Sequence, residues 1–211
     1  MKSLSIKAAK WARCILGVSV VLAPPCYGVE SWLSLRDSGV VRQQADYSCG
    51  AAALATLLTY FYLDPISEKT LLMQTMDSRT FEPAQGLAAK GLSFAEMAML
   101  ARSREYPVLG LELGYSDLKK LKVPVIVALE VHGRAHFSVL RKIDDRDRVF
   151  LADPSWGNRQ WGRDEFVKSF TTEDDISSRG RILLVGSKHD RVGDDAFRHR
   201  PPRRVLIAPR R

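Results

Sequence analysis

Apolar residues recur at helical spacing in the first half of the chain and at strand spacing in the second. From Cys49 to about Tyr62, Leu54, Leu57, Leu58 and Phe61 share one helical face with alanine between them, and Asp64-Pro65 ends the run. Ser67 is placed to cap a second helix carrying Leu71, Leu72 and Met76. Ser93 with Glu96 makes a capping box ahead of Met97, Leu100 and Ala101. The stretch between these helices, 77–91, reads as a loop that rims a cleft. After Tyr106-Pro107 the pattern turns to short β-rich segments, 108–113, 123–131, 135–143, 148–152 and 181–185, with a helical turn at 116–121 and a short helix at 163–170. Helices followed by a run of strands predict an α+β domain, N-terminal helices packed on an antiparallel sheet.

The first 28 residues do not belong to that pattern. Lys2, Lys7, Lys10 and Arg13 precede an apolar run from Cys14 to Ala23, and small or turn-forming residues follow up to Gly28. This reads as a signal peptide cleaved after Gly28, since the run is short for a membrane span of ~20 residues. Acylation at Cys26 is the lesser alternative, because Pro24 and Pro25 suit such processing poorly. The expected organisation is signal 1–28, one domain 29–187, and a basic flexible tail 188–211, with the protein exported to the periplasm.

Charge follows the same division. The net +8 resolves into +4 in the signal, +5 in the tail and −1 in the domain, so the folded part offers no basic groove for nucleic acid. The tail then serves solubility or weak attachment to an anionic surface, unless its 204–208 segment adds an edge strand.

Removal of the signal would take Cys14 and Cys26 with it and leave Cys49 as the sole thiol. An oxidising compartment selects for paired cysteines or none, so a solitary one calls for a role. Cys49 stands where a helix begins, and a helix N-terminus together with an imidazolium lowers a thiol pKa from its usual ~8.5. Apart from the tail, the domain has two histidines, His132 beside Gly133 in a turn and His136 in an alternating strand. His136 is therefore the expected base. A hairpin turning at Asp144-Asp145-Arg146-Asp147 pairs positions whose numbers sum to 291, which sets Asp153 diagonally from His136 on the same face. Asp153 can then orient the imidazole. For the oxyanion of acyl transfer, Gln43 is the favoured side-chain donor and the Cys49 N–H a second; spacing alone does not separate Gln43 from Gln44. Each residue taken singly also fits a packing or turn role, and only their joint order and common face make a site. Trp156 and Trp161 flank Gly157 as cleft or core residues. No spacing suits a metal, and nothing suggests a cofactor.

Gln43 to Gly50 with its alanine-rich helix, then the 135–140 strand, then Asp153-Pro154 ahead of Gly157 and Phe166, resembles the bacteriocin-processing, double-glycine cysteine peptidases, family 39 of the cysteine peptidases. The resemblance covers roughly residues 40 to 170. It implies a papain-like fold with Cys49 as nucleophile, His136 as general base, Asp153 as orienting acid and Gln43 as oxyanion donor. Ser48 stands where that family usually has an acidic residue. No array of membrane spans and no nucleotide-binding loop accompanies the domain, so it resembles the stand-alone members of functional-amyloid (Fap) secretion systems. The expected activity is hydrolysis of a peptide bond in an exported protein or peptide, an amyloid subunit or its secretion machinery among the candidates. The alternatives are a catalytically silent module that binds such a client and, more distantly, a transglutaminase-like acyl transferase.

Overall fold

The computed structural model describes residues 31–77, 91–171, 179–188 and 193–199. The expected signal, most of the expected 77–91 loop and the end of the basic tail lie outside them.

Helix α1 (Trp32–Asp37) starts at Ser31, whose hydroxyl accepts the Ser34 N–H. Helix α2 (Cys49–Thr56) runs on into a π-helical turn, Leu57–Phe61. All eight α2 residues are buried, and four of them are alanines, which let the helix lie close against its neighbours. Helices α3 (Glu68–Asp77) and α4 (Phe94–Arg102) follow, the latter with both bonds of the Ser93/Glu96 capping box formed.

The strands are β1 (Val108–Gly114), β2 (Val125–Val131), β3 (Arg134–Ile143), β4 (Val149–Asp153), β5 (Gly157–Trp161) and β6 (Arg179–Val185). Helix α5 (Tyr115–Lys120) lies between β1 and β2, and α6 (Arg163–Phe170) between β5 and β6. Among the described residues the strands form one antiparallel sheet in the order β1-β6-β2-β3-β4-β5. Alternation splits its side chains between two cores. Ile126, Val139, Ala152 and Leu183 pack with Leu54, Leu57, Leu58 and Met97 of the N-terminal helices. Val127, Leu129, Leu140, Leu151 and Ile182 pack with Phe166 and Phe170 of α6. The α+β architecture expected from the pattern is the one observed.

Three elements depart from the expectation. Helix α1 and strand β5 were not foreseen, and they hold each other: the Asn158 amide donates to the Leu35 and Ser38 carbonyls at the end of α1. The domain also runs past the boundary expected at 187. Helix α7 (Asp195–His199) carries Phe197, 1% exposed, into the first core, and the buried Arg141 guanidinium lies 4.3 Å over its ring. Asp194 N–H donates to the Phe61 carbonyl, and Lys188 reaches Asp64 at 3.1 Å. A single aromatic anchor inside a basic run converts the start of the tail into part of the fold.

Candidate active site

The loop that leads into α2 is fixed by one carbonyl. Ala45 O accepts from the Ser48 N–H (3.1 Å), the Ser48 hydroxyl (2.7 Å) and the Gln43 side-chain amide (2.9 Å). Ser48 is thus spent on its own turn and gives α2 no side-chain cap. That leaves first-turn N–H groups for other acceptors, and the Gly50 N–H takes the Cys49 sulfur. Gly91, at φ +70°, comes so close to this loop that a Cβ there would collide with the Tyr47 carbonyl.

His136 and Asp153 come from adjacent strands. The imidazole Nε2 lies 3.0 Å from Asp153 Oδ2, and both residues are buried. The other carboxylate oxygen accepts the N–H groups of Ser155 (2.8 Å) and Trp156 (3.0 Å), so the turn after β4 locks the acid. Because Nε2 is occupied, the hydrogen bond between His136 and Cys49 falls to Nδ1.

Helix α2 does not pack on the face that carries His136 and Asp153. It packs beside Val139 and Ala152, one residue out of phase, while His136 stands opposite Leu129 on the other face. Cys49 reaches the imidazole because it is the first residue of the helix and sits where β3 has outrun β4. The β3–β4 pairing begins at Val139, and the Phe137 N–H beyond it donates to the Cys49 sulfur.

Burial pushes the Cys49 thiol pKa up, but hydrogen bonds from His136, Phe137 N–H and Gly50 N–H, with the imidazolium charge, outweigh it and leave the thiol below its ordinary value. Burial pulls His136 down, and its bonds to Asp153 and Cys49 reverse that, raising it to about 9. Both shifts favour the charged thiolate–imidazolium form of the pair. Trp156 sets its edge to the His136 ring at 5.2 Å between centroids, while staying 41% exposed. A cleft of about 640 Å³ opens beside it, lined by Arg42, Gln43, Arg134, His136, Ser155 and Trp156.

The structure therefore brings Cys49, His136 and Asp153 into one connected set and puts Gln43 in the adjoining cleft. His132 lies in the cleft rim, at φ +52°, away from the pair with Asp153. The side chain of Gln43 is held between Ala45 and Ser155, whereas Gln44 is exposed and bonds Glu68 through its backbone N–H. Trp161 is core. The sequence reading missed Ser155, although Asp-Pro-Ser is the composition of a turn in which a carboxylate takes the N–H two residues on. Among the described residues no group of three or more His, Cys, Asp or Glu is arranged to hold a metal ion.

The model of the peptidase C39 family matches residues 37–173, which includes all four of these positions. The chain belongs to the peptidase C39 family. It is 32% identical over 139 residues to a protein of Pseudomonas fluorescens named "Probable functional amyloid protease FapD", covering 66% of this chain and 60% of that one. It is 30% identical over 156 residues to an uncharacterised protein of Methanothermobacter marburgensis, covering 74% of this chain and 94% of that one. The chain spans about three-fifths of the FapD relatives it matches. Two crystal structures share the fold. One is a double glycine motif protease from an AMS/PCAT transporter in complex with the leader peptide, with TM-score 0.53 and 24% identity over 71% of this chain and 91% of that one. The other is the peptidase domain of Streptococcus ComA, a bi-functional ABC transporter, with TM-score 0.54 and 16% identity over 71% and 98%.

These structures correct the expectation of a periplasmic protein. The two solved domains above come from transporters, not from free proteins exported to the periplasm. No described helix is long and apolar enough to cross a membrane.

Proposed function

We propose that this C39-family chain is an active cysteine endopeptidase. The Cys49 thiolate attacks the scissile carbonyl carbon, and the oxyanion is held by the Gln43 amide and the Cys49 backbone N–H. Protonated His136 gives its proton to the leaving amine, which departs as the C–N bond breaks and a thioester remains. Water, deprotonated by the now neutral His136, attacks the thioester, and the acid product leaves as the thiolate re-forms. Asp153 touches no substrate; it holds the imidazole and favours its charged form.

The observation that carries this reading is the hydrogen-bonded chain Cys49–His136–Asp153, with the thiol lowered and the imidazole raised to about 9. A silent binding module has no need of that pair. The substrate class we propose is a polypeptide bound for secretion, a leader peptide or a functional-amyloid component, in keeping with the names of its relatives. The test is cleavage of a peptide ending in Gly-Gly joined to a fluorescent amine, and of candidate secreted proteins followed by mass spectrometry. Release that depends on Cys49 supports the reading, and release that persists at full rate in Cys49→Ala sinks it.

A further inference from the structure

The loop before α2 and the turn after β4 are tied three times. Gln43 N–H donates to Pro154 O at 3.1 Å, the Arg42 guanidinium donates to Ser155 O, and the Ser155 hydroxyl donates to Gln43 Oε1 at 2.6 Å. The last of these joins the proposed oxyanion donor to a side chain of the turn that holds Asp153. Ser155 N–H already holds the carboxylate of Asp153, so its hydroxyl is delivered from a backbone that the acid itself has fixed.

We propose that Ser155 is a positioning residue that sets the orientation of the Gln43 carboxamide for oxyanion binding, an inference that rests on the peptidase reading above. A carboxamide has nearly the same shape in its two flipped forms, but only one offers N–H to a developing oxyanion. The other offers a carbonyl oxygen, which repels it. Two contacts enforce the productive form. Ala45 O accepts one of the two Nε2–H groups, and Ser155 O–H donates to Oε1. Removing the hydroxyl leaves Oε1 without that donor and the flip opposed by the Ala45 contact alone. A single turn, 153–156, thereby serves both halves of the reaction: through Asp153 it sets the proton donor, and through Ser155 the oxyanion donor.

The test is a double-mutant cycle on Gln43 and Ser155, read with the Gly-Gly fluorogenic peptide and with iodoacetamide. Ser155→Ala is expected to lower kcat about tenfold, part of what a whole oxyanion donor contributes, while KM stays within about twofold. Ser155→Thr, which keeps the hydroxyl, restores kcat. In a Gln43→Ala background Ser155→Ala costs nothing further, because its effect passes through the amide it no longer holds. Alkylation by iodoacetamide builds no oxyanion, so its rate at Cys49 and its pH profile are expected to be unchanged in Ser155→Ala. Wild-type kcat in Ser155→Ala, full additivity with Gln43→Ala, or a displaced alkylation profile would each overturn the proposal, the last by moving the action of Ser155 to the acid. If Ser155→Ala does not fold, Ser155→Cys, with the same shape and a weaker donor, is carried through the same cycle. Cys49→Ala run alongside tests the peptidase reading itself: cleavage surviving there removes that reading, whereas the outcomes above remove only the role of Ser155.

Discussion

His136 and Asp153, 17 positions apart, meet at 3.0 Å, the carboxylate fully buried and the imidazole nearly so at the wall of the cleft. Their contact decides the charge of the imidazole, because burial alone would drive it neutral and the carboxylate is the first group that opposes burial. Asp153→Asn keeps the shape and removes the charge. The alkaline limb of kcat/KM, near pH 9 in the parent, is expected to move to lower pH. The sign for stability follows from a raised folded-state pKa. His136 stabilises the fold fully below its ordinary value of 6.5 and loses that contribution as pH rises through about 9, so the stability difference between parent and Asp153→Asn shrinks across that window. A limb that stays near 9 in the variant would refute the assignment.

The thiol offers a more direct reading of the same pair. Iodoacetamide is expected to alkylate Cys49 at neutral pH faster than free cysteine despite the burial of the residue, and His136→Ala is expected to slow it about tenfold by removing the main group that lowers the thiol. Mass spectrometry of the modified peptide against time measures both rates. Equal rates in the two proteins would dissolve the ion pair.

Much of this site was legible in the sequence, and the register that links His136 to Asp153 shows how. A four-residue turn at 144–147 would pair 143 with 148, and numbers summing to 291 would follow throughout. The loop in fact closes one residue later, Ile143 facing Val149, with Asp147 at φ +56° and Asp144 accepting the Arg148 N–H through its carboxylate. The sum of 291 returns only at Leu140–Leu151 and Val139–Ala152, because Arg141 bulges out between them. Two local errors cancelled. The bulge was not legible because its reason is tertiary: Arg141 turns into the interior to cover Phe197 and to donate to Gly39 O. Strand β5 escaped for the opposite cause, since Asn158-Arg159-Gln160 at a sheet edge carries no apolar alternation to read. Ser155 shows the same limit at the site, where Asp-Pro-Ser announces a turn but not the glutamine 112 positions away that its hydroxyl meets.

Gly157 joins β5 to α1. At φ +79° a Cβ would lie 2.6 Å from the Arg36 carbonyl oxygen and 2.8 Å from the Asp37 carboxylate, both against the same short helix. Gly157→Ala is expected to cost about 1–3 kcal/mol, measured by denaturant unfolding, through strain at that φ and displacement of α1. Since the Asp153 turn lies next to it, the cleavage rate should fall as well. A variant as stable as the parent would show that α1 is free to move aside.

Phe197 makes the sharpest division between an appendage and a folded end. Its ring fills the first core beside Phe61 and lies beneath the buried Arg141 guanidinium, which also donates to Gly39 O. Truncation of the side chain leaves both a cavity and a buried cation without its aromatic cover. Phe197→Ala is therefore expected to cost about 3–5 kcal/mol, a large share of the stability of a domain this size. The cost falls on the unfolding midpoint rather than on the Cys49 pair, so at temperatures where the variant stays folded its alkylation profile should match the parent. Cutting the chain after Ser187 removes the same ring together with the Asp194 bond to Phe61, and it should destabilise at least as much as Phe197→Ala. A truncated protein that unfolds at the parent's midpoint would return residues 195–199 to the role of a tail.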